Sequence, residues 1–114
     1  MPPEQGEVWR VQLEPVIGSE TGKTRPCVVV SRNDVGRLPV RVVVPITDWK
    51  PAFAGYAWMT LLTSTPGNGL SKDSAADALQ IRTVSLQRFQ DKIGSVTQDE
   101  QEEIFASIML CLQV

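Results

Sequence analysis

The chain has 114 residues and a net charge of −2, and is 42 % apolar and 21 % charged, which fits one soluble globular domain spanning residues 1–114 and argues against bulk nucleic-acid affinity. It holds no histidine and two cysteines, which excludes a Ser-His-Asp hydrolase and a two-histidine ribonuclease scheme and leaves no expectation of a metal or other cofactor. No apolar run reaches the roughly 18 residues of a membrane span and the start MPPEQGE lacks a signal pattern, so the expected location is the cytoplasm. The charge is uneven: residues 1–90 carry ten basic and eight acidic side chains, and residues 91–114 one and five. An acidic tail can therefore hide a mildly basic working face.

In chain order, EVWRVQLE (residues 7–14) alternates, with Trp9, Val11 and Leu13 on one face and Val8, Arg10, Gln12 and Glu14 on the other. This predicts a half-buried strand ended by Pro15, with Trp9 in the core. RPCVVVSR (25–32) is a solid apolar run and predicts a more deeply buried strand. After the turn residues Asn33-Asp34-Val35-Gly36, VRVVVPIT (40–47) predicts a third strand, with Pro45 pointing to an edge or a bulge. The three strands are expected to form a meander. Residues 48–56 show no period, and 57–63 suggest a further strand. Residues 75–84 suggest one or two short strands with Gln80 and Arg82 on the polar face, followed by a helical turn capped by Ser85 and a short strand over 92–96. Thr97 and Glu100 form a capping-box pattern. Behind it Ile104, Phe105, Ile108, Met109 and Leu112 make one apolar stripe at helical spacing, which Leu110 and Cys111 widen. That end of the helix is expected to be deeply buried or in a subunit contact. Cys27 and Cys111 read as small buried hydrophobes.

The stretch GSETGKTRP (18–26) imitates a nucleotide-binding P-loop in its Gly22-Lys23-Thr24. Only three residues separate Gly18 from Gly22, where the motif needs four, and Pro26 with the valine run leads into a strand rather than a helix. What remains is a glycine-bearing loop running into Arg25, open to two readings: a flexible hairpin loop with a surface arginine, or an oxyanion site built from backbone N–H groups and one guanidinium.

Taken in order, GEVWRVQLEP, IGSETGKTRPCVVVSRNDVG, VVVPIT, LSKDSAADALQIRTVSLQRF and the acidic C-terminal helix resemble the MazF/PemK family of endoribonuclease toxins over nearly the whole chain, with a gap at 48–69. The resemblance implies an α+β fold, a small SH3-like β-barrel of five to seven strands with a C-terminal α-helix. It implies a homodimer that cuts single-stranded RNA at short sequences without metal, by attack of the ribose 2′-OH, and that a cognate antitoxin neutralises. It carries the catalytic arginine and threonine of the family onto Arg25 and Thr47, and a further catalytic role onto Glu20. Glu20 is the only acid in the motif and the expected general base, since arginine keeps its proton above about pH 12.

Gln80 and Arg82, then Ser19 and Ser74, are expected to touch RNA, and Lys23 to steer its backbone. Trp49 stacks on a base or belongs to the core or a dimer contact. Two departures from the family bear on the cleaved sequence: Leu79 stands where many relatives carry an acid, and residues 48–58 are apolar-rich. A gyrase-poisoning toxin of the CcdB type, or a non-catalytic RNA-binding module, are the alternatives. The C-terminal Cys-Leu-Gln-Val, without tryptophan, weighs against the first, and the presence of both Arg25 and Thr47 against the second.

Overall fold

A computed structural model describes residues 2–113. Seven strands precede one helix: β1 (Glu7–Gln12), β2 (Thr24–Val29), β3 (Val40–Asp48), β4 (Met59–Leu62), β5 (Ser74–Asp77), β6 (Arg82–Ser85), β7 (Phe89–Ser95) and α1 (Gln98–Leu112). Short 3-10 turns fill Pro51–Gly55, Ala78–Gln80 and Leu86–Arg88, the last capped by the Ser85 side chain as its position suggests. The strands form one antiparallel sheet in the order β4-β5-β3-β2-β1-β7, with β6 added to β3, curled into an open barrel. The meander β1-β2-β3 is as expected.

Strand β3 pairs with β2 along one side and with two strands in turn along the other. Val40–Val43 face β6, and Ile46–Asp48 face β5. Pro45 falls in the gap between the two partners. The expectation that it marks an edge is corrected: it is fully buried inside the longest and most central strand. A missing N–H is tolerated there because the ladder on that side is interrupted.

Both faces of the β1-β2-β3 region are covered, which is why residues 27–30 are apolar without alternation. One core holds Val8, Val28, Val44, Ile46, Leu62 and Ile104; the other holds Val11, Leu13, Cys27, Val29, Val43 and Val84. Val8 therefore belongs to a core and not, as the alternation suggests, to an outer polar face. Trp9 is half-buried, stacks edge-on against Phe89 at 5.8 Å and donates its indole N–H to Glu7 at 3.0 Å.

The Thr97–Glu100 capping box is formed: Thr97 Oγ1 accepts the Glu100 N–H at 3.1 Å, and the Glu100 carboxylate accepts the Thr97 N–H at 2.9 Å. Ile104 is buried, with Phe105 and Ile108 packed against the same core. The expectation of a deeply buried helix end fails, since Met109, Leu110 and Leu112 are 47 %, 54 % and 60 % exposed. Cys111 is only half-buried. Ser107, outside the apolar stripe, is buried instead, donating to the Ala57 carbonyl at 3.0 Å and sharing a hydrogen bond with Thr60 at 3.3 Å.

Residues 65–70 form a tight turn around the buried Asn68, whose Oδ1 accepts from the Thr65 and Leu70 N–H groups and whose amide donates to Thr63. The turn lies directly on β7. At Gly69 (φ +69°) an added Cβ would stand 1.9 Å from the Ile93 carbonyl oxygen, and at Gly94 one would stand 2.4 Å from the Asn68 backbone. Gly69→Ala is expected to cost roughly 3 kcal/mol or more, from backbone strain plus a clash that neither backbone can relieve. Gly36→Ala (φ +81°, open space) carries the strain alone and should cost about 1 kcal/mol. Thermal unfolding of the two variants side by side checks this, and equal losses would refute the close packing of turn and strand.

Candidate active site

A cleft of about 130 Å³ opens where β2 begins and β3 ends, and Arg25, Thr47 and Ser74 all line it. The sheet explains the convergence. The β2–β3 ladder closes with Cys27 opposite Pro45, and Arg25 and Thr47 each lie two residues beyond that last pair, where both line the cleft. Thr47 is fixed from its other side by Ala75, and Arg25 by Val11 of β1. Both are half-buried, and the Arg25 Nε donates to the Gly22 carbonyl at 3.4 Å. Ser74 is buried and donates to the Lys72 carbonyl at 2.9 Å.

Three cations, Arg10, Arg25 and Lys72, and a single acid, Asp48, line this cleft in a chain of net charge −2. Lys72 pairs with Asp48 at 3.0 Å, and Arg10 pairs with Asp91 of β7 at 2.5 Å. Among the described residues Arg25 makes no ion pair. Cys27, two residues on, is kept neutral: burial pushes its thiol up to about 12, and the nearby Arg82 guanidinium offsets only part of that. Among the described residues no three or more carboxylates or thiols are grouped to hold a metal ion.

The loop between β1 and β2 runs into a strand at Thr24, not a helix. Its neck is closed by Leu13 N–H to the Lys23 carbonyl at 2.8 Å and Lys23 N–H to the Glu14 carboxylate at 2.7 Å. Glu20, Ser19 and Lys23 are exposed and stand outside the cleft wall; the Glu20 carboxylate accepts the Ile17 N–H at 2.6 Å. Gln80 and Arg82 are both turned onto this loop. Gln80 accepts the Thr21 N–H at 3.1 Å and donates to the Ser19 carbonyl at 3.3 Å, while Arg82 donates to the Leu13 carbonyl at 3.3 Å. Gln80 is presented by the turn that Asp77 caps, its carboxylate accepting the Leu79 N–H at 3.1 Å. Burial raises the Asp77 pKa, against the pull of the Leu79 and Gln80 backbone N–H groups.

Sequence reasoning missed Arg88, which donates to the carbonyls of Gln12, at 3.1 Å, and Glu14. The signal was available in the carbonyls left without ladder partners where β1 ends at a proline. It also missed Arg10, which alternation placed on the solvent side of β1. Trp49 lies outside the cleft wall and starts a chain of rings, meeting Phe53 edge-on at 5.9 Å; Phe53 leads to Tyr56, which stacks on Trp58 at 4.7 Å. These rings order the segment whose sequence shows no period.

The backbone superposes on the crystal structure of MazF from Deinococcus radiodurans with a TM-score of 0.83 at 21 % identity, covering 100 % of this chain and 99 % of that one, so the two share one fold. Residues 4–112 match the family model described as PemK-like, MazF-like toxin of type II toxin-antitoxin system, and the chain belongs to that family. It is similar to endoribonuclease MazF9 of Mycobacterium tuberculosis, with 34 % identity over 96 % of both chains. It is also similar to endoribonuclease EndoA of Bacillus subtilis, with 30 % identity over 96 % of this chain and 93 % of that one.

Removal of the Gln80 side chain should loosen the loop without unfolding the barrel. In Gln80→Ala, hydrogen exchange at the Thr21 amide is expected to quicken about five- to tenfold, the loss of one net hydrogen bond of about 1 kcal/mol. An unchanged rate would show that the loop is held by other contacts.

Proposed function

We propose that this chain is a sequence-specific, metal-independent endoribonuclease toxin acting on single-stranded RNA in the cytoplasm. The observation that carries the reading is the convergence of the Arg25 and Thr47 positions on one cleft with an excess of cationic side chains. In the reaction the ribose 2′-oxygen bonds to the adjacent phosphorus as the bond to the 5′-oxygen breaks. The products are a 2′,3′-cyclic phosphate and a 5′-OH end, the proton leaving the 2′-OH and another reaching the 5′-oxygen.

Negative charge gathers on the non-bridging oxygens of the five-coordinate phosphorus. A guanidinium and a hydroxyl fixed at strand ends donate to those oxygens without reorganising, and each such donor is worth roughly 3 kcal/mol. Arg25 stays charged throughout. Glu20 is assigned the 2′-OH proton; because it stands on the loop outside the cleft wall, the loop must fold toward bound RNA to deliver it. Ser74 bonds the phosphate region, and Ser19 and Lys23 meet RNA from the exposed loop. Gln80 and Arg82 support the loop surface on which RNA lies, and Trp49 stacks on a base at the far side.

The partner is a cognate antitoxin, in keeping with the description of the family. The exposed Met109, Leu110 and Leu112 support a homodimer contact along α1. Among the described residues no helix is long and apolar enough to cross a membrane.

Purified protein in EDTA is expected to cut an RNA pool to fragments whose 5′ ends accept a kinase label without prior phosphatase treatment. Arg25→Ala and Thr47→Ala should each lower the cleavage rate about a hundredfold or more. Full activity in Arg25→Ala would move the chemistry to another site.

A further inference from the structure

Of the two cleft cations that the proposed chemistry leaves unused, Arg10 and Lys72, Arg10 has the more telling partner. It sits on β1, opposite Pro26 of β2 on one side and Asp91 of β7 on the other. Arg10 lines the cleft with Arg25, yet its guanidinium is held at 2.5 Å by a carboxylate that stands outside the cleft wall. Lys72 differs in this respect, because its partner Asp48 lines the cleft with it. The Arg10–Asp91 pair is about half exposed, at 49 % and 52 % for the two side chains. An ion pair so wetted contributes little net stability, so its carboxylate can be exchanged for another oxyanion at small cost. The cleft volume of about 130 Å³ is well below the roughly 300–1,000 Å³ of a pocket that encloses a small molecule, so it suits an open groove that grips phosphate groups. A guanidinium fork matches phosphate and carboxylate alike.

We propose that Arg10 binds the RNA phosphate next to the one that is cut, and that Asp91 occupies its guanidinium until RNA arrives. The assignment rests on the endoribonuclease reading, and it gives the two residues opposite effects. Arg10 supplies affinity. Asp91 competes with RNA for the same donors and so lowers affinity. A brace between β1 and β7 with no part in binding would instead make loss of either partner equivalent.

The test is binding of a random 20-mer pool of fully 2′-O-methylated RNA, which cannot be cleaved, measured by fluorescence anisotropy over a range of salt. Arg10→Ala is expected to raise Kd about fivefold or more and to lower the slope of log affinity against log salt by about 0.7, the value for one phosphate contact on a single strand. Asp91→Asn is expected to lower Kd, and Arg10→Lys to fall between wild type and Arg10→Ala. The exposed Arg32–Asp34 pair lies outside the cleft wall and serves as the charge control. Arg32→Ala and Asp34→Asn change net charge equally and should shift Kd much less. Thermal unfolding of each variant establishes that it is folded. Shifts of the same sign in Arg10→Ala and Asp91→Asn, shifts no larger than the control pair's, or no measurable binding by the wild-type protein would each overturn the assignment. Cleavage of unmodified RNA by the wild-type protein, run in parallel, judges the endoribonuclease reading separately: opposite shifts without cleavage would uphold the Arg10 site and reject the nuclease.

Discussion

The structure turns on β3, a strand that serves two partners along one side. Val40–Val43 close the barrel with β6, and Ile46–Asp48 reach past it to β5. Pro45 stands beside the handover, in a fully buried position where a proline within a continuous ladder on both sides would cost a hydrogen bond. Because the strand goes on beyond this point, its last residues project out of the double-sided core to the place where β2 starts. The cleft lies there because two strands offset in this way leave side chains at their ends without a covering layer.

Interlocked backbone builds the opposite wall of the cleft. Asn68 satisfies the turn over 65–70 from inside, and Gly69 and Gly94 let that turn lie against β7 with no side chain between them. The short segment Gly69–Lys72 is thereby carried to the cleft in a fixed position. A buried polar side chain whose oxygen and nitrogen are both bonded is a specific device of this kind, since it stabilises one turn geometry and penalises others. Its charge setting is equally local: the acids concentrated in the last 24 residues lie largely on α1, away from the cationic cleft wall.

Much of this was legible in the sequence wherever a periodic or paired signal existed. The strands over 7–14, 25–32 and 40–47, the Thr97 capping box and the Ser85 turn all rest on local chemistry that tertiary packing did not override. Arg25 and Thr47 were found as positions of a resemblance, and the β2–β3 pairing that ends just before them brings two residues 22 apart in sequence to one cleft. What escaped did so for physical reasons. Alternation assigns Val8 and Arg10 to one outer face, but the sheet curls and is packed on both sides, so Val8 became core and Arg10 cleft. Hydrophobic spacing cannot detect Ser107 or Asn68, which are buried through hydrogen bonds. It also overstates the burial of Met109, Leu110 and Leu112, because the apolar stripe outruns the core beneath it. Gln80, Arg82 and Arg88 act on carbonyls some 60 to 75 residues earlier in the chain, and no local pattern reveals such partners.

The loop over residues 16–21 is tethered to the barrel through side chains, with Gln80 at its tip and Arg82 and Arg88 at its base, rather than through strand pairing. Insertions or exchanges at Val16, Ile17 or Ser19 thus disturb no ladder. Over evolutionary time such a tip can diverge rapidly while the strand ends at 25 and 47 stay put, so on the proposed reading descendants of one ancestor can inherit the same scissors and each acquire a different alphabet.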